Sequence, residues 1–232
     1  MKIAIMQPYF FPYIGYFQLI KSVDVFVVYD NIKYTKKGWI NRNRMLQNGK
    51  DVMFSIPLKN DSDSLDVCER ELSTDFNRDK LLNQFKGAYR FAPYFEQTFL
   101  LVESIVRCED NNLFRFLHNS IVATCNYLDI DTEIKISTEV TIDHNLKSQD
   151  KVIALCEALG ASAYINAIGG IELYSKEAFS NKGIDLKFIK SMPFEYTQLG
   201  GEFVPWLSII DVMMFNSVTM VKECLSSNYE LI

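Results

Sequence analysis

The densest group of polar side chains in the chain lies between residues 34 and 44, just after the second predicted strand. Guanidinium groups suit phosphate or carboxylate, an indole ring can stack on a base or sugar, and asparagine amides bind hydroxyl groups. The predicted substrate-binding residues of this segment are Lys36, Trp39, Asn41, Arg42, Asn43 and Arg44. The alternative is a basic loop that only faces water. RNA binding is a weaker interpretation, because RNA-binding modules repeat their base-stacking platforms.

A second candidate is the turn after the first predicted strand, where Gln7-Pro8 ends the strand because proline lacks the backbone donor. Ligands of open parallel sheets bind beyond the carboxyl ends of the strands, and a glycine permits close approach. The alternative is an ordinary entry into a helix, with the aromatic residues of the turn in the core. The candidate binding residues are Gln7, Tyr9, Gly15 and, at the end of the second predicted strand, Asp30.

A third candidate combines Asn166, Gly169 and Gly170, which follow a predicted strand and precede a predicted helix. Backbone N–H groups at such a junction can hold an anion. A plain tight turn explains the same glycines equally well.

Three residues are candidate proton acceptors: Asp211, His118 and His144. Asp211 follows a Gly-rich loop at the start of a predicted helix, and a buried carboxylate there needs a partner. We hypothesise Arg42 as that partner. Histidine is the natural base near neutral pH, although each of the two histidines also fits a purely structural role.

The elements that would position these residues alternate between strand and helix at both ends of the chain. Ser148 is the predicted N-cap of one helix and Gly160 its end. Residues 133–137 and 139–142 are predicted to be extended. The predicted strands cover 3–6, 23–29, 51–57, 163–166 and 184–190, and the predicted helices 79–90, 94–108, 113–128, 148–159 and 172–180.

This order predicts an α/β fold with a parallel, Rossmann-like (nucleotidyltransferase-like) sheet and a helical insert in the middle. We expect residues 1–72 to form an N-terminal α/β half and residues 73–130 a helical insert or sub-domain. Residues 131–232 would then complete the same domain.

Composition and charge argue against several classes of protein. The net charge of −5 gives no general reason to expect DNA, and no apolar run reaches the roughly 20 residues that span a bilayer. The five cysteines are scattered singly, which predicts reduced thiols and no zinc site of familiar spacing. No signal peptide is recognisable, so we expect a cytoplasmic protein.

Five motifs, in order along the chain, resemble the WbqC-like protein family. They are Met6-Gln-Pro-Tyr-Phe-Phe-Pro-Tyr-Ile-Gly-Tyr-Phe, Gly38-Trp-Ile-Asn-Arg-Asn-Arg, Tyr89-Arg-Phe-Ala-Pro-Tyr-Phe, Tyr164-Ile-Asn-Ala-Ile-Gly-Gly and Leu207-Ser-Ile-Ile-Asp. Proteins of this kind are often encoded among genes for O-antigen and other bacterial surface glycans. The resemblance implies an enzyme that attaches an acyl or aminoacyl (glycyl-type) group to the amine of a nucleotide-linked amino sugar.

The same resemblance implies roles for residues 34–44, the basic segment. Arg42 and Arg44 would hold a diphosphate, Trp39 would stack on a base, and Asn41 and Asn43 would bind the sugar. Asp211 or a histidine would take the proton of the amine. The partners would be the nucleotide-linked amino sugar and an activated acyl or aminoacyl donor, with no membrane and no DNA. The sequence leaves a homodimer open and identifies no cofactor and no metal.

Two other functions stay open. One is a nucleotidyltransferase-like enzyme. The segment from Phe11 to Leu19 resembles the strand–turn–helix entry of nucleotidylyltransferases, which carry a His-x-Gly-His motif there. Here Ile14 and Tyr16 flank Gly15, so the imidazoles that would aid phosphoryl transfer are absent. The other alternative is a non-catalytic nucleotide-sugar-binding protein of the same pathway.

Overall fold

The computed structural model describes all 232 residues. Its strands are short and largely apolar. They are β1 (Lys2–Met6), β2 (Val25–Val28), β3 (Arg42–Gln47), β4 (Lys50–Ser55), β5 (Glu133–Ile136), β6 (Ala163–Ala167), β7 (Asp185–Ser191) and β8 (Tyr229–Leu231).

The helices range from five to fifteen residues. They are α1 (Ile14–Lys21), α2 (Arg78–Tyr89), α3 (Phe95–Val106), α4 (Leu113–Tyr127), α5 (Ser148–Ala158), α6 (Lys176–Ser180), α7 (Ile209–Phe215) and α8 (Val218–Ser227). Short 3₁₀ turns cover Val67–Glu69, Ser137–Glu139 and Ile168–Leu173.

Six strands form the central sheet in the order β5-β2-β1-β6-β7-β8. All neighbours are parallel except β7 and β8, which are antiparallel. The mixed α/β fold with a mostly parallel sheet is therefore confirmed. The chain builds the sheet outward from β1 through β2 to β5, and then returns to the other side of β1 with β6 and β7.

The strand order thus reverses between β1 and β6, and these two strands are joined over a short length. Their ladder contains two residue pairs, Lys2 with Ala163 and Ile3 with Tyr164. By comparison, β1 and β2 share four pairs, and β6 and β7 share five. Beyond Ile3 and Tyr164 the two strands separate, which leaves an opening at their carboxyl ends.

The two faces of the sheet are covered by different helices. Because side chains alternate along a strand, Ala4 of β1 packs into the core beneath α1, α7 and α8, whereas Ile3 and Ile5 pack against α5 and α6. Helices α2, α3 and α4 extend the first of these cores. The Thr98 hydroxyl of α3 donates to the Met213 carbonyl of α7 over 3.0 Å, which links these helices to the C-terminal part of the chain.

The strand predicted over 51–57 forms, but it does not join the central sheet. It is β4, which pairs with β3 in a separate antiparallel hairpin. No strand was predicted over 42–47, where Arg42 to Arg44 begin β3. The tight turn at Asn48 and Gly49, both with positive φ, favours pairing of the two consecutive strands.

Other boundaries were predicted with mixed success. The helices predicted over 79–90, 94–108 and 113–128 are confirmed as α2, α3 and α4, and residues 133–136 form β5. No strand forms over 139–142, where Glu139 ends a 3₁₀ turn and Val140 after it is extended, and the helix predicted over 172–180 is α6 alone, preceded by a 3₁₀ turn. Ser148 is the first helical residue rather than the N-cap, whereas Gly160 ends α5 with φ of 70°.

No helix is long and apolar enough to cross a membrane. No group of three or more histidine, cysteine, aspartate or glutamate side chains is placed to hold a metal ion.

Candidate functional site

A cleft of about 1120 Å³ lies at the carboxyl ends of β1 and β6. Met6 and Asn166 line it where the two strands separate, and the loops after both strands form its walls. Parallel sheets bind ligands at the point where the strand order reverses, because the connections leave in opposite directions there. The cleft is therefore the candidate functional site.

The structure brings together only part of the predicted site. The predicted residues that line the cleft are Gln7, Tyr9, Gly15, Trp39, His144, Asn166, Gly169 and Gly170. The predicted residues that lie outside it are Asp30, Lys36, Asn41, Arg42, Asn43, Arg44, His118 and Asp211.

The turn between β1 and α1 (residues 7–13, the opening turn) forms one wall of the cleft. Tyr16 donates a hydrogen bond to the Gln7 carbonyl over 3.1 Å, which fixes the backbone at the end of β1. Burial, together with Tyr13, raises the pKa of Tyr9 to about 12, so its phenol is a hydrogen-bond donor at neutral pH. A Cβ at Gly15 would collide with the hydroxyl groups of Tyr13 and Ser191, so these side chains would have to move to admit one.

The loop after β6 forms the opposite wall. Asn166 is buried, and its Oδ1 accepts a hydrogen bond of 2.9 Å from the Ala167 N–H. Its Nδ2 lies against Gly170, where any Cβ would collide with it. Gly169 has open space around the position of a Cβ, so no close approach explains that glycine.

His144 lines the cleft and is held at both ring nitrogens. Its Nδ1 lies 3.0 Å from Asn31 Nδ2, and its Nε2 lies 3.1 Å from the Val140 carbonyl. Since a carbonyl only accepts and an amide nitrogen only donates, these partners assign the proton to Nε2. The neutral ring therefore keeps its basic lone pair at Nδ1, directed toward Asn31.

Asp30 supports this arrangement from below rather than facing the cleft. Its carboxylate accepts hydrogen bonds from the Ser137 hydroxyl at 2.6 Å, the Thr138 hydroxyl at 2.7 Å and the Thr138 N–H at 3.1 Å. The same Ser137 hydroxyl lies 2.9 Å from Asn31 Oδ1. Asp30 thus joins the end of β2 to the turn after β5 and positions Asn31 beneath His144.

The two arginines of the basic segment are engaged with the protein. Arg42 donates to the Gly38 carbonyl over 2.8 Å and to the Lys37 carbonyl. Arg44 donates to Asp51 and to the Trp206 carbonyl, each over 3.2 Å, and its Nε is buried without a partner. Both guanidinium groups lie within 6 Å of the Trp39 ring, at 5.9 and 5.5 Å.

The neighbouring polar residues are equally engaged. Asn41 accepts from Tyr34 and donates to the Ile56 carbonyl, each over 2.8 Å. Asn43 is buried, and its Nδ2 donates to the carbonyls of Phe10 and Phe11. Lys36 is exposed and forms an ion pair with Asp63 at 2.7 Å.

Asp211 is fully buried, and it does not line the cleft. Its Oδ2 accepts hydrogen bonds from Tyr196 at 2.6 Å and from Gln198 at 2.9 Å, so the hypothesis that Arg42 is its partner is wrong. Burial raises the pKa of Asp211, against the opposing effect of these donors. A carboxylate sealed in this way cannot accept a proton from a substrate in the cleft.

His118 also lies away from the cleft. Its ring packs 5.7 Å from the Phe114 ring on α4, and burial lowers its pKa. Among the three predicted proton acceptors, His144 is the one that the structure places in the cleft.

Sequence reasoning missed the lysines of the cleft, Lys33, Lys147 and Lys151. Lys151 is only 4% exposed, yet its ammonium forms no ion pair or hydrogen bond and lies 5.0 Å from the centre of the Tyr29 ring. Burial, with a contribution from Lys147, lowers its pKa. Their positions in the sequence could have indicated them, because Lys147 precedes and Lys151 lies near the start of a helix that follows a strand of the sheet.

A second, smaller cavity of about 550 Å³ lies beside the cleft. The segment between β7 and α7 forms most of its wall, with aromatic side chains that include Phe194, Phe203 and Trp206. Tyr13 lines both cavities, and its ring lies 6.0 Å from the Trp206 ring. The opening turn therefore separates the two spaces.

Comparison with known proteins identifies one family and one relative. The model of the WbqC-like protein family matches residues 7–223. The uncharacterized protein Rv1507c of Mycobacterium tuberculosis (strain ATCC 25618 / H37Rv) is 26% identical over 219 residues, which cover 93% of each chain. No solved structure matches the chain.

Proposed function

The chain belongs to the WbqC-like protein family, and from that premise we propose that it is an enzyme of bacterial surface-glycan biosynthesis. It transfers an acyl or aminoacyl group, such as glycyl, to the amine of a nucleotide-linked amino sugar. The cleft at the carboxyl ends of β1 and β6 is its active site. A Rossmann-like, nucleotidyltransferase-like architecture is part of this proposal, supported by the strand order and its reversal at β1 and β6.

One observation carries the proposal: a single cleft combines aromatic walls, unpaired cationic groups and one histidine. Trp39 is 40% exposed and provides a face for a base or sugar ring. The lysines suit the phosphates, and amide groups such as those of Gln7 and Asn166 suit the hydroxyls of a sugar. A nucleotide sugar presents these same three kinds of group.

The chemical step needs a base and an activated donor. The amine of the sugar attacks the carbonyl carbon of an acyl thioester or acyl phosphate, a C–N bond forms, and the bond to the thiolate or phosphate breaks. His144 takes the proton of the amine at Nδ1, for which the substrate amine replaces Asn31 as the partner of that nitrogen. The proton then passes to the leaving group.

The first experiment is a thermal-shift panel of nucleotides and nucleotide sugars that includes dTDP-4-amino-4,6-dideoxyglucose. A ligand at about 100 times its dissociation constant adds roughly 2.7 kcal/mol of stability. We expect a shift with amino sugars and none with plain nucleoside triphosphates. Binders are then incubated with glycyl thioester or glycyl adenylate, and the product is sought by mass spectrometry as an N-glycyl sugar.

The matched variants are His144→Gln and His118→Gln, which change the same side chain inside and outside the cleft. We expect the first to lower kcat at least 100-fold, as loss of a general base does, and the second to leave it within about twofold. Pyrophosphate release from a triphosphate would instead support nucleotidyl transfer. Binding of amino sugars without turnover of any donor would support a non-catalytic binding protein.

A further inference from the structure

The start of α5 leaves three backbone donors free at the edge of the cleft. The N–H groups of Ser148, Gln149 and Asp150 donate to no acceptor in the protein, and the N-cap residue Lys147 provides no side-chain cap. Lys147 and Ser148 line the cleft. The first turn of an eleven-residue helix therefore presents its N–H groups and the positive end of its dipole to this space.

Lys151 directs a charge to the same place. It lies one turn further along α5, is nine-tenths buried, and lines the cleft without an ion pair or a hydrogen bond. The ammonium has no hydrogen-bond or ion-pair partner in the protein, and the attraction of Asp66 and Asp30 does not offset the burial of its side chain, so a bound anion would stabilise the charge. The cation lies against the Tyr29 ring, which supports its position without neutralising it.

The charge around this point is opposite in sign to that of the whole chain. The cleft contains three lysines and one carboxylate, Asp66, whereas the chain carries a net charge of −5. A concave surface lined by one sign of charge concentrates ligands of the other sign. Such a local reversal is the feature expected of an anion site on an acidic protein.

We propose that the start of α5, with Lys147 and Lys151, binds a diphosphate. This assignment rests on the proposed function for the identity of the rest of the ligand, a nucleoside diphosphate sugar. It replaces the assignment of the diphosphate to Arg42 and Arg44, which lie outside the cleft and each donate two hydrogen bonds to the protein. The base and sugar then occupy the aromatic part of the cleft near Trp39.

The test is titration of the full chain with inorganic pyrophosphate by calorimetry at low salt. The variants are Lys151→Met and Lys86→Met, which remove the same charge, since Lys86 is exposed on α2 and lies outside the cleft. Loss of a charge-assisted hydrogen bond should weaken pyrophosphate binding about tenfold or more in Lys151→Met, and Lys86→Met should stay within about twofold. Lys147→Met, whose side chain is exposed, should weaken binding about threefold.

Two results would overturn the proposal: no binding of pyrophosphate by the unchanged protein at millimolar concentration, or Lys151→Met binding within twofold of it. Circular dichroism of each variant verifies that it is folded. If Lys151 is required for pyrophosphate but no amino sugar is acylated, the diphosphate site stands and the proposed function fails. If acylation proceeds with an unchanged KM in Lys151→Met, the function stands and this site is wrong.

Discussion

The cleft and the β3–β4 hairpin are both rich in cations, but the cations of the two regions have different neighbours. Arg42 and Arg44 each donate two hydrogen bonds to the protein, to carbonyls and to Asp51, and the adjacent Asn43 holds the backbone of the opening turn. Lys151, in the cleft, has no such partner. The arginines of the hairpin are hydrogen-bonded within the fold, whereas the lysines of the cleft are not paired with any protein group.

This difference shows that residue type alone does not locate a binding site. Arginine and asparagine are good ligands for phosphate and sugar, and the same donor geometry makes them good partners for carbonyls of the protein. Which use prevails depends on the acceptors that the fold places nearby. Substitutions in the hairpin should therefore lower stability and spare binding, whereas substitutions in the cleft should weaken binding without lowering stability.

The largest effect should come from Asn43→Ala. Its loss leaves the Phe10 carbonyl and the N–H of Arg44 without this partner, and the Phe11 carbonyl with the Ser208 hydroxyl alone. We expect a cost of about 3 kcal/mol in the free energy of unfolding, measured with urea. The matched control is Asn145→Ala, an exposed cleft residue, which should cost less than about 0.5 kcal/mol. Equal costs for both would contradict the contrast.

Asp211 should show the second effect, through pH. Because its folded pKa is raised, the folded state holds this proton more tightly than the unfolded state. Its contribution to stability is present below the ordinary pKa of aspartate and is lost as the pH rises through the folded pKa. The unfolding free energy of the unchanged protein minus that of Asp211→Asn should therefore fall between acid and neutral pH. A difference that rises with pH would show that the hydrogen bonds from Tyr196 and Gln198 outweigh burial.

Lys151→Met should stabilise the unliganded chain by up to about 1 kcal/mol, because it removes a charge on a buried side chain that Asp66 and Asp30 compensate only in part. The lowered pKa of Lys151 sets the sign, since the folded state releases this proton more readily than the unfolded state does. The stability deficit of the unchanged protein is therefore greatest below the folded pKa and disappears as the pH rises past the ordinary pKa of lysine. Urea unfolding at neutral and alkaline pH would measure it, with Lys86→Met as the reference. A destabilised Lys151→Met would refute this account.

The smallest effect should be that of Arg42→Ala on ligand binding. The sequence alone predicts weaker binding of phosphate, but the guanidinium donates to the carbonyls of Lys37 and Gly38. We expect the affinity for pyrophosphate to change less than about twofold, with a stability cost of about 1 kcal/mol. A tenfold loss of affinity in the folded variant would return the hairpin to the binding site.

Much of the fold follows from local patterns. The buried run of β2 and the apolar spacing of α2 to α4 identify these elements without tertiary information, as does Gly160 at the end of α5. The role of β4 could not be obtained this way. A short strand carries no mark of whether it pairs with its sequence neighbour or joins a distant sheet.

Predicted residues line the cleft where backbone topology decides their position, and lie elsewhere where long-range contacts decide it. Gln7, Gly15 and Asn166 reach the cleft because they follow the carboxyl ends of β1 and β6. Asp211 is a plausible base from its sequence position, but Tyr196 and Gln198 occupy its carboxylate in the folded chain. Lys151 was not predicted as a site residue, because most lysines on helices are exposed and the sequence does not show that this one is buried.

The short ladder between β1 and β6 has a consequence for the sheet as a whole. Two residue pairs join the strands that carry the cleft, so backbone pairing is weakest where the binding groups lie. A ligand in contact with both Met6 and Asn166 would span this seam, as the absent pairs would have done. The amide hydrogens near the carboxyl ends of the two strands should then exchange with solvent more slowly in the complex, and the two halves of the sheet would be joined in part by the substrate.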